Sequence, residues 1–443
     1  MTPIVLSILV MMSIALVILL TSVWKLNAFI TLFLMSLFLA LAVMPGKGII
    51  SIMTEGFGNT MASIGLLIVF GAIIGVVLEK SGAVITIANH ILSRTGEPNA
   101  AVALGITGLV AGLPIFCDSG YIILSGLSKS FSSKTKTTMP FIAGVLGCSL
   151  YSVHCLVPTH PGALAAAGIL SVNIGNLVII GTLFAVPGFI ASYFWLKFIT
   201  NGKGYLPAEQ CEISLPEDTR HRPSIVLSLL PIVVPLSLIT ISSLETIMGL
   251  GSESIFGRVF VFAGQPVIAL LIGVAFALLL LNNKSMGTIN GIFESAIKKA
   301  GPTLIIIAAG GMYGVIIRET GFGTLAGNAL GRTGLGLAIP FSIAVILKTA
   351  QGSSTVAIIT TASIIVSMLP SLGLDSESGR LFTMLAMGAG SMVASHANDA
   401  YFWVITKFSD LHADVTLRVF SSATAVMGIT IFILIWVASL FFL

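Results

Sequence analysis

Lys348-Thr349-Ala350-Gln351-Gly352-Ser353-Ser354-Thr355 lies between two apolar runs, Ile339 to Leu347 and Val356 to Met368. Each run is about nine to a dozen residues, short of the ~20 that a helix needs to cross a bilayer. Two short helices meeting at a polar, glycine-containing turn form a re-entrant hairpin with its tip at membrane depth. Broken backbone is tolerated there only where protein covers it or it lines a wet cavity. Lys348 stands beside the tip, where an unpartnered cation costs roughly 3 kcal/mol or more. The stretch therefore reads as part of a site for a small, polar, anionic ligand. The rest of the chain must supply its walls.

The 443 residues are 56% hydrophobic and 9% charged, against about 25% charged in soluble domains. This composition defines an all-α polytopic membrane protein embedded in a lipid bilayer. The net charge of +4 comes from scattered Lys and Arg residues, which speaks against a nucleic-acid partner. Cys117, Cys148, Cys155 and Cys211 form no CxxC pair and read as small packing residues. The first apolar run, Pro3 to Leu20, has no basic residue before it. A signal peptide carries one, so this run reads as a retained span.

Hydropathy places spans at about 3–22, 25–44 and 58–79, an interrupted hairpin at 98–131, a broken helix at 138–170 and a span at 173–199. Residues 201–223 form a polar linker. Spans follow at about 224–244, 260–282 and 299–317, then the hairpin at 335–370, a broken helix at 380–407 and a last span at 417–442. The two sides of the linker, 1–200 and 224–443, repeat each other. Gly71, Gly75 and Gly82 align with Gly310, Gly314 and Gly321. Asn89 then matches Asn328, and Arg94-Thr95-Gly96 matches Arg332-Thr333-Gly334. His154 and His396 fall in matching places after Ser149 and Ser391.

Each half thus holds five crossings and one hairpin. An odd number of crossings turns the second half upside down, giving the inverted repeat with broken midplane helices common among secondary transporters. With the linker in the cytoplasm, 15 of the 21 Lys and Arg residues lie on that side, five lie outside, and Lys348 is in the hairpin. The bias follows the positive-inside rule and puts both termini outside.

Polar residues interrupt the apolar segments at matching places. The first hairpin breaks at Gly112-Leu113-Pro114-Ile115-Phe116-Cys117-Asp118-Ser119-Gly120, where Pro114 removes a backbone donor and Gly120 allows close approach. Asp118 is the only acid between Glu97 and Glu209. The next break is His154-Cys155-Leu156-Val157-Pro158-Thr159-His160-Pro161-Gly162. A helix restarting near Gly162 would aim free N–H groups and the positive end of its dipole at an anion. The two histidines lack the further ligands a metal site would need, so no metal is assigned. A structural role for either, held by backbone, stays open. In the second half, His396-Ala397-Asn398-Asp399 interrupts an apolar span. Two roles are open for Asp399: carrying a coupling proton, or pairing with Lys348 to fasten the hairpin. Gln351, Gly352, Ser353, Ser354 and Thr355 offer amide and hydroxyl groups suited to a polyhydroxylated ligand. There is no GxxxxGK[ST] loop, HExxH or GxSxG motif, hence no sign of nucleotide, zinc or serine-hydrolase chemistry.

Four motifs in order, Gly112-Leu113-Pro114, Val153 to Gly162 with Ala165-Ala166-Ala167-Gly168, Ala350 to Ala357, and Ser395 to Trp403, resemble the gluconate permease family across essentially the whole chain. The resemblance implies proton-coupled uptake of sugar acids or related hydroxy carboxylates across a bacterial inner membrane, by a carrier with no cofactor. It also implies an inverted-repeat, two-hairpin fold, usually dimeric and moving as an elevator. There are departures. Many members carry Glu where this chain has Asp118, with an aromatic in place of Cys117. Pro158-Thr159-His160-Pro161 replaces the usual Pro-Pro-His-Pro. Lys348 stands where gluconate carriers often have Arg, and a Lys is a point charge rather than a fork. A different substrate, such as D-serine or a hydroxybutyrate-like acid, therefore stays open.

On this reading Lys348 and the helix N-termini hold the substrate carboxylate. Ser119, Gln351, Ser353, Ser354, Thr355 and Asn398 bond its hydroxyls, with Gly120, Thr159 and Gly352 shaping the site. Asp118 or Asp399 takes the proton, assisted by His154, His160 or His396. A passive channel is the competing class.

Overall fold

The computed structural model describes residues 2–46, 48–96, 99–208, 222–248, 255–323, 325 and 335–443. Lys47, Glu97, Pro98, Cys211, Glu217, Asn328 and the Arg332-Thr333-Gly334 motif lie outside these residues. Among those described, every regular element is helical.

Up to Thr200 the helices are α1 (Pro3–Ser22), α2 (Ala28–Val43), α3 (Ile49–Lys80), α4 (Ala83–Thr95), α5 (Ala100–Gly112), α6 (Cys117–Thr135), α7 (Met139–Leu156), α8 (Pro161–Leu170) and α9 (Ile174–Thr200). Beyond the linker come α10 (Ile225–Met248), α11 (Ile255–Ala263), α12 (Pro266–Leu279), α13 (Met286–Glu319), α14 (Ala338–Gln351), α15 (Ser354–Ile365), α16 (Glu377–Met392), α17 (Ala400–Phe408) and α18 (Ala413–Phe442). Among the described residues, seven helical segments are long and apolar enough to cross a membrane, or eight if α11 and α12, bent by 77° at their junction, form one span. The ten crossings expected from sequence add α2, of 16 residues, and the interrupted pair α16–α17. The protein is thus a multi-pass, all-helical membrane protein.

Three local features differ from the hydropathy reading. Helices α3 and α13 begin at Ile49 and Met286, well before the apolar runs at 58–79 and 299–317. Their N-terminal stretches carry Thr54, Glu55, Glu294 and Lys298, which are compatible with a helix but lower its hydropathy. Helix α4 was not anticipated. It buries Ala83, Val84, Ile87 and Ala88 on one face and exposes Asn89, Ser93 and Arg94 on the other, the pattern of an amphipathic helix. The span at 260–282 proves to be two helices, with Pro266 opening the second.

All 18 residues of α7 are buried. An all-round apolar helix belongs at the centre, and glycines let its neighbours approach. A Cβ on Gly144 would lie 2.6 Å from Leu196 of α9, and one on Gly147 would lie 2.8 Å from Ile405 of α17. The two longest helices, α3 and α13, pack along each other in the same way: a Cβ on Gly56 would lie 3.0 Å from the Met312 Cα. Small residues that admit close backbone contact are how membrane helices associate when lipid is as apolar as leucine. At the periphery α1 exposes Ile4, Ile8 and Met11, and α18 exposes Trp436, Leu440 and Phe441. These are surfaces that acyl chains can solvate.

Candidate functional site

The second hairpin turns at Gly352, whose φ of +84° ends α14. Left-handed backbone favours glycine, and a Cβ here would also fall on the Asn398 carbonyl. Ser353 then caps α15, its Oγ accepting from the Val356 N–H at 3.3 Å. The tip is therefore pressed against the gap between α16 and α17.

That gap is held from three directions. The Asn398 amide donates to the Thr349 carbonyl at 2.7 Å, and His396 Nε2 lies 3.2 Å from the same oxygen. The Ser395 N–H donates to Thr424 Oγ1 at 3.2 Å, and the Ser421 hydroxyl donates to the Ser395 carbonyl. Ser421 closes a π-helical turn, Leu417–Ser421, in α18, a widening often found at functional sites. Ala394 has a φ of 54°, a strained conformation for alanine, held by these bonds around it.

Asp399 caps α17: its Oδ1 accepts from the Tyr401 N–H at 3.0 Å. Its Oδ2 accepts from Lys348 Nζ at 2.5 Å and from the Ser395 hydroxyl. Lys348 also donates to the Gly352 carbonyl, and its nitrogen is 5.5 Å from the Tyr151 ring centroid. Neither side chain has appreciable exposure, at 0% and 8%. Removing one partner from such a pair strands the other charge in a dry interior.

The first half supplies the opposite wall. Phe116 precedes α6, and Asp118 lies in its first turn. Proline at the first position of α8 costs nothing, since its missing N–H would have been unpaired. His160, just before it, is 2.7 Å from the Gly112 carbonyl through Nε2. A carbonyl only accepts, so that nitrogen carries a proton. The His154 ring lies 4.8 Å from that of His160 and is stacked on Tyr151 at 6.2 Å. A Cβ on Gly162 would lie 3.0 Å from the Thr355 Cα, so the starts of α8 and α15 touch.

These pieces enclose a cavity of about 330 Å³, within the size range of small-molecule sites. The first hairpin contributes Phe116, Cys117 and Asp118, and the first broken helix Tyr151, His154 and Pro161. The second hairpin contributes Gln351 to Val356, and the second broken helix Asn398 to Tyr401. Thr303 and Ile306 of α13 complete the wall. Four helices, α6, α8, α15 and α17, thus begin at one cavity, and each N-terminus favours negative charge. Five buried side-chain atoms at the cavity residues have no hydrogen-bond partner: Asp118 Oδ1, His154 Nδ1, Asn398 Oδ1, and both Gln351 amide atoms. Buried polar atoms are normally paired, so this set is shaped for a polar guest.

Of the residues singled out from sequence, Asp118, His154, Gln351, Gly352, Ser353, Ser354, Thr355, Asn398 and Asp399 line the cavity. Six lie elsewhere. Lys348 is one step behind Asp399, and His396 rests on the Thr349 carbonyl. His160 stands behind His154. Ser119 accepts a bond from Lys299 at 3.1 Å. Gly120 packs on Leu150. Thr159 lines a small separate cavity with Gly71 and Pro114. Sequence reasoning missed Thr303 and Ile306; Pro302, inside the apolar run of α13, was the one available signal. It also passed over Tyr151 and Tyr401, aromatic residues flanking the two breaks.

A membrane-spanning helical bundle gathered around a partly open cavity with polar side chains in its wall is an arrangement that suits a membrane permease. A profile of the GntP family permeases matches residues 4–441, and the chain belongs to this family. It is 31% identical to the inner membrane permease YgbN of Escherichia coli, over 93% of each chain. It is 27% identical to a high-affinity gluconate transporter of the same organism, over 95% of this chain and 96% of that one. The crystal structure of the YdaH transporter of Alcanivorax borkumensis, described as having an unusual topology, shares the fold with a TM-score of 0.62. That match covers 93% of this chain and 97% of the other at 14% identity.

Proposed function

We propose that this permease imports a sugar acid or a related small hydroxy carboxylate across a bacterial inner membrane by proton symport. The observation that carries the reading is the convergence of four helix N-termini and five unpartnered polar atoms on one cavity. The N-termini of α15 and α17 receive the carboxylate. Gln351, Asn398 and the Ser353–Thr355 hydroxyls read the hydroxyl groups. A relative named a gluconate transporter supports that substrate class, and one named an inner membrane permease supports the location.

The two cavity acids differ in their surroundings. Asp399 accepts from Lys348, Ser395 and Tyr401, so both of its oxygens are engaged. Asp118 Oδ1 is buried at the cavity and has no hydrogen-bond partner. Asp118 is therefore the proton carrier in this scheme, with His154 beside it, and Lys348–Asp399 is the fastening of the second hairpin.

The elements also recur in the same order in the two halves: a helix of 32 or 34 residues, a hairpin, a broken helix and a long final helix. We read them as an inverted repeat that moves a hairpin-bearing unit across the membrane, working as a homodimer.

The test is uptake of labelled gluconate into proteoliposomes under an imposed pH gradient. Wild type should accumulate it and lose accumulation when a protonophore is added. Asp118→Asn should retain exchange but lose about a tenfold factor of accumulation for each unit of imposed pH gradient, the roughly 1.4 kcal/mol that one coupled proton supplies. Accumulation by wild type that ignores the protonophore would refute proton coupling.

A further inference from the structure

A second polar cavity, of about 550 Å³, opens beside the end of α3. Its charged lining is Glu79, Lys80 and Arg222, alongside Asn282, Asn283 and Thr288. An ion pair lies between this vestibule and the central cavity. Lys299 Nζ is 2.6 Å from Glu79 Oε2 and 3.1 Å from Ser119 Oγ. Glu79 belongs to the vestibule wall, whereas Ser119 follows Asp118 at the start of α6. Both partners are about one-third exposed, at 38% and 32%, as expected of a wet passage rather than a packed core.

Helix α13 joins the two cavities. Thr288 and Ile292 line the vestibule, Ser295 accepts a bond from Lys80 at 3.3 Å, Lys299 makes the ion pair, and Thr303 lines the central cavity. These positions are three or four residues apart, so they form one stripe on the helix. From Thr288 to Thr303 the stripe climbs roughly 22 Å at 1.5 Å per residue. It passes three cations, Lys80, Arg222 and Lys299, and one carboxylate, Glu79.

We propose that this stripe is the path by which an anionic substrate reaches or leaves the central cavity, and that Lys299 is its gate. At rest Lys299 is held by Glu79 across the passage and by Ser119 at the hairpin. A passing carboxylate replaces Glu79 as its partner, which opens the passage and selects for negative charge. Lys299 is released to Glu79 once the anion has moved on. An ion pair exposed to this extent is weak enough for such exchange, whereas the buried Lys348–Asp399 pair is not. The gate rests on the transporter reading but is tested without a transported substrate.

A thiol introduced as Thr303→Cys reports access to the central cavity, with Ile306→Cys as a second reporter if the first fails to fold. Each full-length protein is treated with an anionic or a cationic methanethiosulfonate of similar size. Labelling at that position is followed by peptide-resolved mass spectrometry. With Lys299 present, the anionic reagent should label about tenfold faster, the lower end of electrostatic focusing in a lined cleft. Lys299→Gln should bring the ratio close to one, Lys299→Arg should keep it, and Glu79→Gln should raise it. A ratio unchanged by Lys299→Gln would overturn the gate. Protection of the thiol by gluconate reads the central site separately: its absence would count against the substrate class and leave the labelling ratio intact.

Discussion

Lys348 has no exposed side-chain surface, yet its ammonium group does not line the cavity it was expected to serve. It is shared between Asp399 and the Gly352 carbonyl. A cation so placed fixes the second hairpin tip to the second break. Lys348→Met should therefore destabilise the purified protein by about 3–5 kcal/mol, the cost of stranding a buried partner. The double variant Lys348→Met/Asp399→Asn should recover at least about 1 kcal/mol of that loss, because the stranded charge is gone. Thermal unfolding in detergent measures both. Equal melting of single and double variants would show that the pair contributes nothing. Both charges were legible in the sequence as residues too costly to be idle in a membrane. Their pairing was left as one of two roles for Asp399, because the partners are 51 residues apart and only the fold brings them together. Thr303 and Ile306 were illegible for a related reason: nothing in an apolar helix marks which face meets a cavity.

At the scale of elements, helix ends do the work. The places where helices break were readable, because proline, glycine and polar clusters interrupt the apolar runs there. The structure breaks them at Gly112–Cys117, Leu156–Pro161, Gln351–Ser354 and Met392–Ala400. The sequence pointed to helix N-termini as carboxylate ligands, but that four of them meet at one cavity depends on how four separate chain segments pack. The tightest of those junctions is Gly352 against Asn398. Gly352→Ala meets both a φ of +84° and the Asn398 carbonyl. The expected outcome is at least about 2 kcal/mol of lost stability from strain and displacement, together with strongly weakened gluconate binding. Calorimetric titration and thermal unfolding of the variant check this. Normal binding with unchanged stability would mean that the tip does not bear on the site. The long starts of α3 and α13 escaped hydropathy because early turns with charged residues fold as helix without being apolar. One of those turns, in α13, carries the stripe toward Lys299.

For the whole molecule, the charge count of 15 against five is the ground for our proposal that the linker is cytoplasmic and both termini lie outside. Alkaline phosphatase fused after Leu443 should be active in the periplasm, and a cytoplasm-only reporter there should be silent. The reverse result would remove the odd number of crossings and with it the inverted repeat. The class of protein was legible from composition, and the family from four motifs. The order of helices also followed from hydropathy, apart from α4 and the bend between α11 and α12. The substrate was not legible, because the departures at Asp118, Thr159 and Lys348 alter chemistry around the site without naming a ligand. The central claim is that one cavity, ringed by helix N-termini, binds a hydroxylated carboxylate through its charge. Its most direct test is the melting temperature of the purified protein with gluconate and other small hydroxy acids, each paired with a neutral polyol of similar size. At about 100 times the dissociation constant, the matching acid should add about 2.7 kcal/mol, and its neutral partner should add almost nothing. Equal stabilisation by acid and polyol, or no response to any acid in the panel, would contradict the account.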